Sequence, residues 1–113
     1  MSRDEATLLD IAQAARLILA FKLNMDKAAF LSDIKTQSAI LHQLLIMGEA
    51  VKRLSQDFRV HHTEIPWGLI AGMRDKLIHA YDIVDLGEVW KTVDKDVADL
   101  LSSLESLLPK QDG

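Results

Sequence analysis

A chain of 113 residues, about half of them apolar, is long enough for one domain with a sizeable core and too short for two. It contains no cysteine, which excludes disulfides, thiolate zinc sites and a cysteine nucleophile. Its net charge of −4 argues against broad, non-specific binding to nucleic acid, which needs a strong basic excess.

Strand-like alternation is absent and prolines and glycines are few, so the whole chain reads as helices with short connections. Leu8, Ile11, Ala12, Ala15, Ile18 and Leu19 recur at helical spacing and predict a first helix over 3–23. Asn24 and Asp26 interrupt it and can cap a long second helix over 26–58. That helix carries two apolar stripes. One is Ile34, Leu41, Leu45 and Gly48; the other is Ile40, Leu44, Met47, Val51, Leu54 and Phe58. Two stripes predict burial on two sides, within a bundle or against a second subunit. Gly48 in mid-helix costs about 1 kcal/mol relative to alanine, which suggests that another backbone approaches it. His61, His62 and Thr63 fall in a loop, and Pro66 suits the first turn of a third helix over 66–79. Ile70, Met73 and Leu77, joined by Trp67, form the apolar face of that helix.

Asp85 with Glu88 resembles a capping box and opens the last helix, which runs to Leu108 and stops at Pro109. Its stripe is Leu86, Val89, Trp90, Val93, Val97, Leu100, Leu101, Leu104, Leu107 and Leu108. The expected architecture is all-α, an up-and-down four-helix bundle with a long second helix. It forms a single domain over 1–113, ordered over about 3–108, with a frayed tail over 109–113. No basic, apolar and small-residue leader pattern opens the chain, and no apolar run reaches the roughly 18 residues that cross a bilayer. The expected location is therefore cytoplasmic, away from any membrane.

Charge is unevenly spread. Residues 50–79 carry five bases against three acids, with three histidines, whereas residues 82–108 carry seven acids against two lysines. Within the basic half, Arg74, His79 and Tyr81 fall inside eight residues. Each has a bland reading taken singly: a surface charge, a partner for the helix dipole, a packing residue. Together they are the residue types that RNA cleavage without a metal needs. Arginine grips phosphate through a planar cation, and histidine moves protons near neutral pH. On an unbroken helix Arg74 and His79 diverge by about 140°. Either the helix ends before His79, or a second chain completes the site in a symmetric dimer. Arg74 and Tyr81 share a face only if the helix continues.

Arg74, His79 and Tyr81 match the R-x4-H-x-Y motif of HepT-like proteins, a branch of the HEPN superfamily, and Asp75 fits the polar position after the arginine. The resemblance extends to Ile65-Pro66-Trp67, Met73, Asp82-Ile83-Val84-Asp85, Trp90 and Gly48-Glu49-Ala50-Val51, spanning roughly residues 5–108. It implies a helical homodimer that acts as the toxin of a two-gene toxin–antitoxin module. The implied activity is that of a metal-independent endoribonuclease on cellular RNA, tRNA included. It further implies an MntA-like minimal nucleotidyltransferase antitoxin that transfers AMP from ATP to the motif tyrosine. Under the resemblance, Arg74 stabilises the scissile phosphate, His79 is the general acid/base and Tyr81 is a site residue and the adenylylation target. AMP there adds bulk and negative charge to the cleft.

Around this motif Asp75 either orients Arg74 or His79 or is a solvated acid. Lys76, Lys52 and Arg53 are candidates for RNA contact or support against a reading as solvated bases. Glu49 is a candidate support because a mid-helix glutamate beside Gly48 is awkward to bury unpaired. Adjacent His61 and His62 lack a third ligand at set spacing, so no metal and no cofactor are expected. The competing reading is a non-catalytic helical module that binds a nucleotide or tethers the transferase. A blander one is a dimeric structural protein whose Arg74–Tyr81 segment merely packs.

Overall fold

Capping side chains decide where most of the helices begin. In the computed structural model, which describes residues 2–109, α1 (Arg3–Phe21) starts at Ser2. The Ser2 hydroxyl accepts from the Glu5 amide at 3.1 Å, and the Glu5 carboxylate accepts from the Ser2 amide at 3.5 Å. Asn24 adopts a left-handed backbone (φ 64°) and turns the chain out of α1. Asp26 then caps α2 (Lys27–Leu31) through the Ala29 amide at 2.8 Å.

The single helix expected over 26–58 is divided into α2, α3 (Ile34–Arg53) and α4 (Gln56–His61). At the first break the Ser32 hydroxyl donates to the Ala28 and Ala29 carbonyls, both at 3.1 Å. Asp33 restarts the helix by accepting from the Thr36 amide and hydroxyl at 3.2 and 2.9 Å. At the second break Leu54 is extended (φ −64°, ψ 141°) and Ser55 caps α4 through the Phe58 amide at 3.1 Å. The apolar period runs across both breaks because the residues on either side still face one core. With 20 residues, α3 remains the longest helix.

Pro66 sits one position before α5 (Trp67–His79), and Ala80 leaves the helical region at φ −140°, ψ 38°. One 3-10 turn (Tyr81–Ile83) leads to Asp85, which caps α6 (Leu86–Lys91) through the Gly87 and Glu88 amides at 2.9 and 3.2 Å. Only the Asp85 half of the expected reciprocal cap forms. A π turn over Thr92–Asp96 joins α6 to α7 (Val97–Glu105), so the last predicted helix contains a bulge and ends before Leu108. Residues 110–113 of the expected tail lie outside the described residues.

The bundle is built around α3, which packs on α1 and on α5, while α7 closes on α1 and α2 bridges to α6. Helix α3 is thus covered on two sides within the chain. Ile40, Leu44, Met47 and Val51 are buried, but Ile34, expected in a stripe, is 77% exposed at the first turn of α3. Leu8, Ile11 and Ile18 from α1 and Val93, Val97 and Leu104 from the last segment complete the core. Phe30 of α2 meets Trp90 at 5.4 Å between ring centroids. Asp4 ties α1 to the α3–α4 joint, accepting from the Ser55 amide at 2.9 Å and hydroxyl at 2.7 Å.

Gly48 marks the closest approach of α3 and α5. A Cβ at Gly48 would lie 2.2 Å from the Cβ of Arg74, 3.0 Å from its Cγ and 3.1 Å from the Ile70 carbonyl oxygen. Gly72 of α5 is the opposite case, since a Cβ there would meet nothing within 4 Å. Replacing Gly48 by alanine therefore forces backbone to move, at about 1–3 kcal/mol for overpacking, which outweighs the helix-propensity gain of about 1 kcal/mol. Thermal melts should show Gly48→Ala losing several degrees in Tm and Gly72→Ala gaining a few. The Ser55 amide and then its hydroxyl hold the Asp4 carboxyl below the usual carboxylate range. A carboxyl whose pKa is depressed on folding stabilises the fold above its unfolded pKa and loses that effect as pH falls through the folded value. Asp4→Ala should lower the Tm at pH 7 by roughly 2–6 °C, and the gap to the unmodified protein should begin to narrow below about pH 4 and go on narrowing as pH falls through the depressed folded value.

Candidate functional site

Arg74 leaves the α3–α5 contact as a buried stem with a charged head. Its Nε is sealed from solvent and has no hydrogen-bond partner among the described residues. The head emerges beyond Gly48 and is held on both terminal nitrogens. Nη1 donates to the Asp75 carboxylate at 2.9 Å, and Nη2 meets the Glu49 carboxylate at 2.8 Å. The same oxygen of Asp75 also accepts from the Lys52 ammonium at 2.6 Å. Two residues of α3 and two of α5 thus form a chain of alternating charge, Glu49–Arg74–Asp75–Lys52, whose formal sum is zero. The bond to Asp75, with the Glu49 charge beside it, keeps the guanidinium protonated more firmly than a free one. Lys52 first and Arg74 second hold the Asp75 carboxyl below the ordinary range.

Asp75 pairs with both Arg74 and Lys52. Glu49, half exposed, pairs with the same guanidinium. Lys52 belongs to the cluster through Asp75. Arg53, one residue on, points elsewhere and pairs with Asp10 of α1 at 3.6 Å. Lys76 is exposed and lines a groove between α5 and α7.

His79 is the last residue of α5, exposed and without a hydrogen bond or ion pair among the described residues. Tyr81 is 53% exposed in the turn that follows. Helix α5 is continuous from Arg74 to His79, so the two side chains leave its axis about 140° apart. An early helix end, one of the two routes to convergence, is thereby removed. The helix also stops at Ala80, so Tyr81 does not continue the face that carries Arg74.

Beside the site lies a feature that the sequence pattern did not announce. A groove of about 550 Å³ opens between α5 and α7 over Leu44 and Met47, and Leu69, 77% exposed, stands at its rim. Gly68 and Gly72 line its α5 side, and their four-residue spacing was the available signal. Elsewhere, Nδ1 of His61 lies 2.7 Å from the Asp57 carbonyl oxygen, and Nδ1 of His62 lies 3.5 Å from Glu64. Among the described residues no three histidine, aspartate or glutamate side chains group as a metal site. Nor is any helix among them long and apolar enough to cross a membrane.

A family model described as ribonuclease HepT-like matches residues 11–107. A protein of Thermococcus cleftensis named probable ribonuclease HepT is 48% identical over 100 residues, covering 88% of this chain and 91% of its own. A candidate RNase of Caldanaerobacter subterraneus subsp. tengcongensis is 42% identical over 82 residues, 73% of each chain. A candidate RNase of Methanocaldococcus jannaschii is 35% identical over 108 residues, covering 96% of this chain and 89% of its own. No solved structure matches the chain significantly. The family match over residues 11–107 and the 48% identity over most of both chains show that the chain belongs to the HepT-like ribonuclease family of the HEPN superfamily.

Proposed function

We propose that this chain is the toxin of a toxin–antitoxin module and cleaves cellular RNA in the cytoplasm as a homodimer, with tRNA as the expected substrate. The observation that carries the reading is a contrast on one helix. Arg74 is fixed at stem and head, while His79, five residues on, is exposed and unpaired among the described residues. A fixed cation suits a group that must meet charge as it develops, and a free imidazole suits one that must reach a proton. In the proposed reaction the ribose 2′-oxygen attacks the neighbouring phosphorus as its proton passes to a base. The new P–O2′ bond forms, the P–O5′ bond breaks, and the leaving 5′-oxygen takes a proton from an acid. Histidine fills the acid/base roles and Arg74 holds the charged phosphorane.

The divergence of Arg74 and His79 supports the dimer. A two-fold pairing that sets the arginine of one copy against the histidine of the other completes the site, whereas one copy alone leaves the two groups facing apart. The exposed Tyr81 hydroxyl is the proposed acceptor of AMP from an MntA-like minimal nucleotidyltransferase antitoxin. One more negative phosphate beside Arg74 would exclude RNA by charge and bulk.

Purified protein should cut tRNA in EDTA, and His79→Ala should lose about 10²–10⁴-fold in rate. Intact tRNA after incubation, or equal cutting by the variant, would leave the binding-module reading in its place. Inactive Arg74→Ala and His79→Ala proteins, mixed and allowed to exchange subunits, should recover about a quarter of the original activity. Half of the dimers are then mixed, and each regains one complete site. No recovery would place Arg74 and His79 of the same copy in each site.

A further inference from the structure

Neither end of the Arg74 head is free in the chain by itself. Nη1 is held by Asp75, Nη2 by Glu49, and Nε is sealed off. Each terminal nitrogen keeps one further N–H, so a phosphodiester gripped by two N–H groups of this guanidinium competes with a carboxylate for the same cation.

The two carboxylates are not equally easy to displace. Asp75 is the neighbour of Arg74 on the same helix and is held from a second side by Lys52 at 2.6 Å. Removing it from Arg74 disturbs two charge-assisted contacts. Glu49 reaches across from α3, its side chain is 50% exposed, and Arg74 is its sole partner among the described residues. Removing it breaks one contact and leaves a carboxylate that water can solvate at once. A carboxylate and a phosphodiester are also alike as acceptors, each spreading one negative charge over two oxygens.

We propose that Glu49 is a placeholder, its carboxylate holding the seat on Arg74 Nη2 that a phosphate oxygen of RNA takes on binding. This rests on the reading of Arg74 as the phosphate-binding residue. Glu49 keeps the guanidinium aimed and charge-balanced until RNA arrives, then swings toward solvent. Asp75 and Lys52 stay in place and keep the head from following it. The arrangement selects for strongly acidic oxygen ligands, because a neutral acceptor cannot replace a carboxylate on a cation.

The test is the affinity for a fluorescein-labelled 2′-O-methyl RNA oligonucleotide, which lacks the nucleophile and is not cut, read by anisotropy at fixed salt. Glu49→Gln should bind roughly three- to ten-fold tighter than the unmodified protein, and Asp75→Asn no tighter. With a cleavable RNA the gain should appear as a lower KM. Glu49→Ala, which removes the competing acceptor altogether, should tighten binding in the same direction, and circular dichroism melts confirm that each variant is folded. Equal or weaker binding by both Glu49 variants overturns the proposal, since Glu49 would then only brace Arg74. An equal gain from Asp75→Asn also overturns it, because loss of any negative charge would then suffice. Arg74→Ala separates the two levels. If it binds RNA as well as the unmodified protein, the phosphate-binding reading itself fails, whatever the Glu49 variants do.

Discussion

The whole candidate site depends on one missing side chain. Because Gly48 has no Cβ, α5 settles against α3 with the stem of Arg74 lying where that carbon would be. This depth of approach brings residues of the two helices into ion pairs at 2.6 Å (Lys52–Asp75) and 2.8 Å (Arg74–Glu49). The conformational cost of glycine in mid-helix is thus offset by a contact that no other residue permits.

From that contact follows the electrostatics. An arginine emerging alone from an apolar joint would be poorly solvated along its stem. Glu49 and Asp75 compensate the head, and Lys52 compensates Asp75 in turn. The groups are partly exposed, so their pairing contributes little to stability; its effect is on direction. The guanidinium is planar, and two carboxylates on its two terminal nitrogens fix the plane. His79, on the same rigid helix, has no such restraint among the described residues. Helix α5 therefore presents one paired cation and one exposed imidazole, unpaired among the described residues, on different faces. A chain with net charge −4 thereby keeps a defined cationic point within a cluster that is neutral in sum.

The last helical segment shows how irregularity near the site is supported. The π turn at Thr92–Asp96 sits where the Thr92 hydroxyl donates to the Glu88 carbonyl at 3.1 Å, a local bond that competes with the regular ladder. Thr92 and Asp96 both line the groove that faces α5. Lys22, just past the end of α1, paired with Asp94 at 3.5 Å and lying 5.3 Å over the Trp90 ring, holds the bulge against the bundle.

The sequence by itself determined what local chemistry controls. Helical periodicity, the caps at Asp26 and Asp85, the start after Pro66 and the Arg74–His79–Tyr81 spacing are all properties of neighbouring residues, and they were enough for the all-helical class and the family. The breaks at Ser32–Asp33 and Leu54–Ser55 were less legible, because the apolar period continues through them while a short polar side chain captures the backbone amide. Only the tertiary structure decided which charges meet. Whether Glu49 is buried or paired, whether Asp75 serves Arg74, and whether Lys52 or Arg53 joins the cluster depend on which helix lies across from each residue. Such long-range pairings are set by the packing of the whole bundle around Gly48, and no local pattern along the chain encodes them.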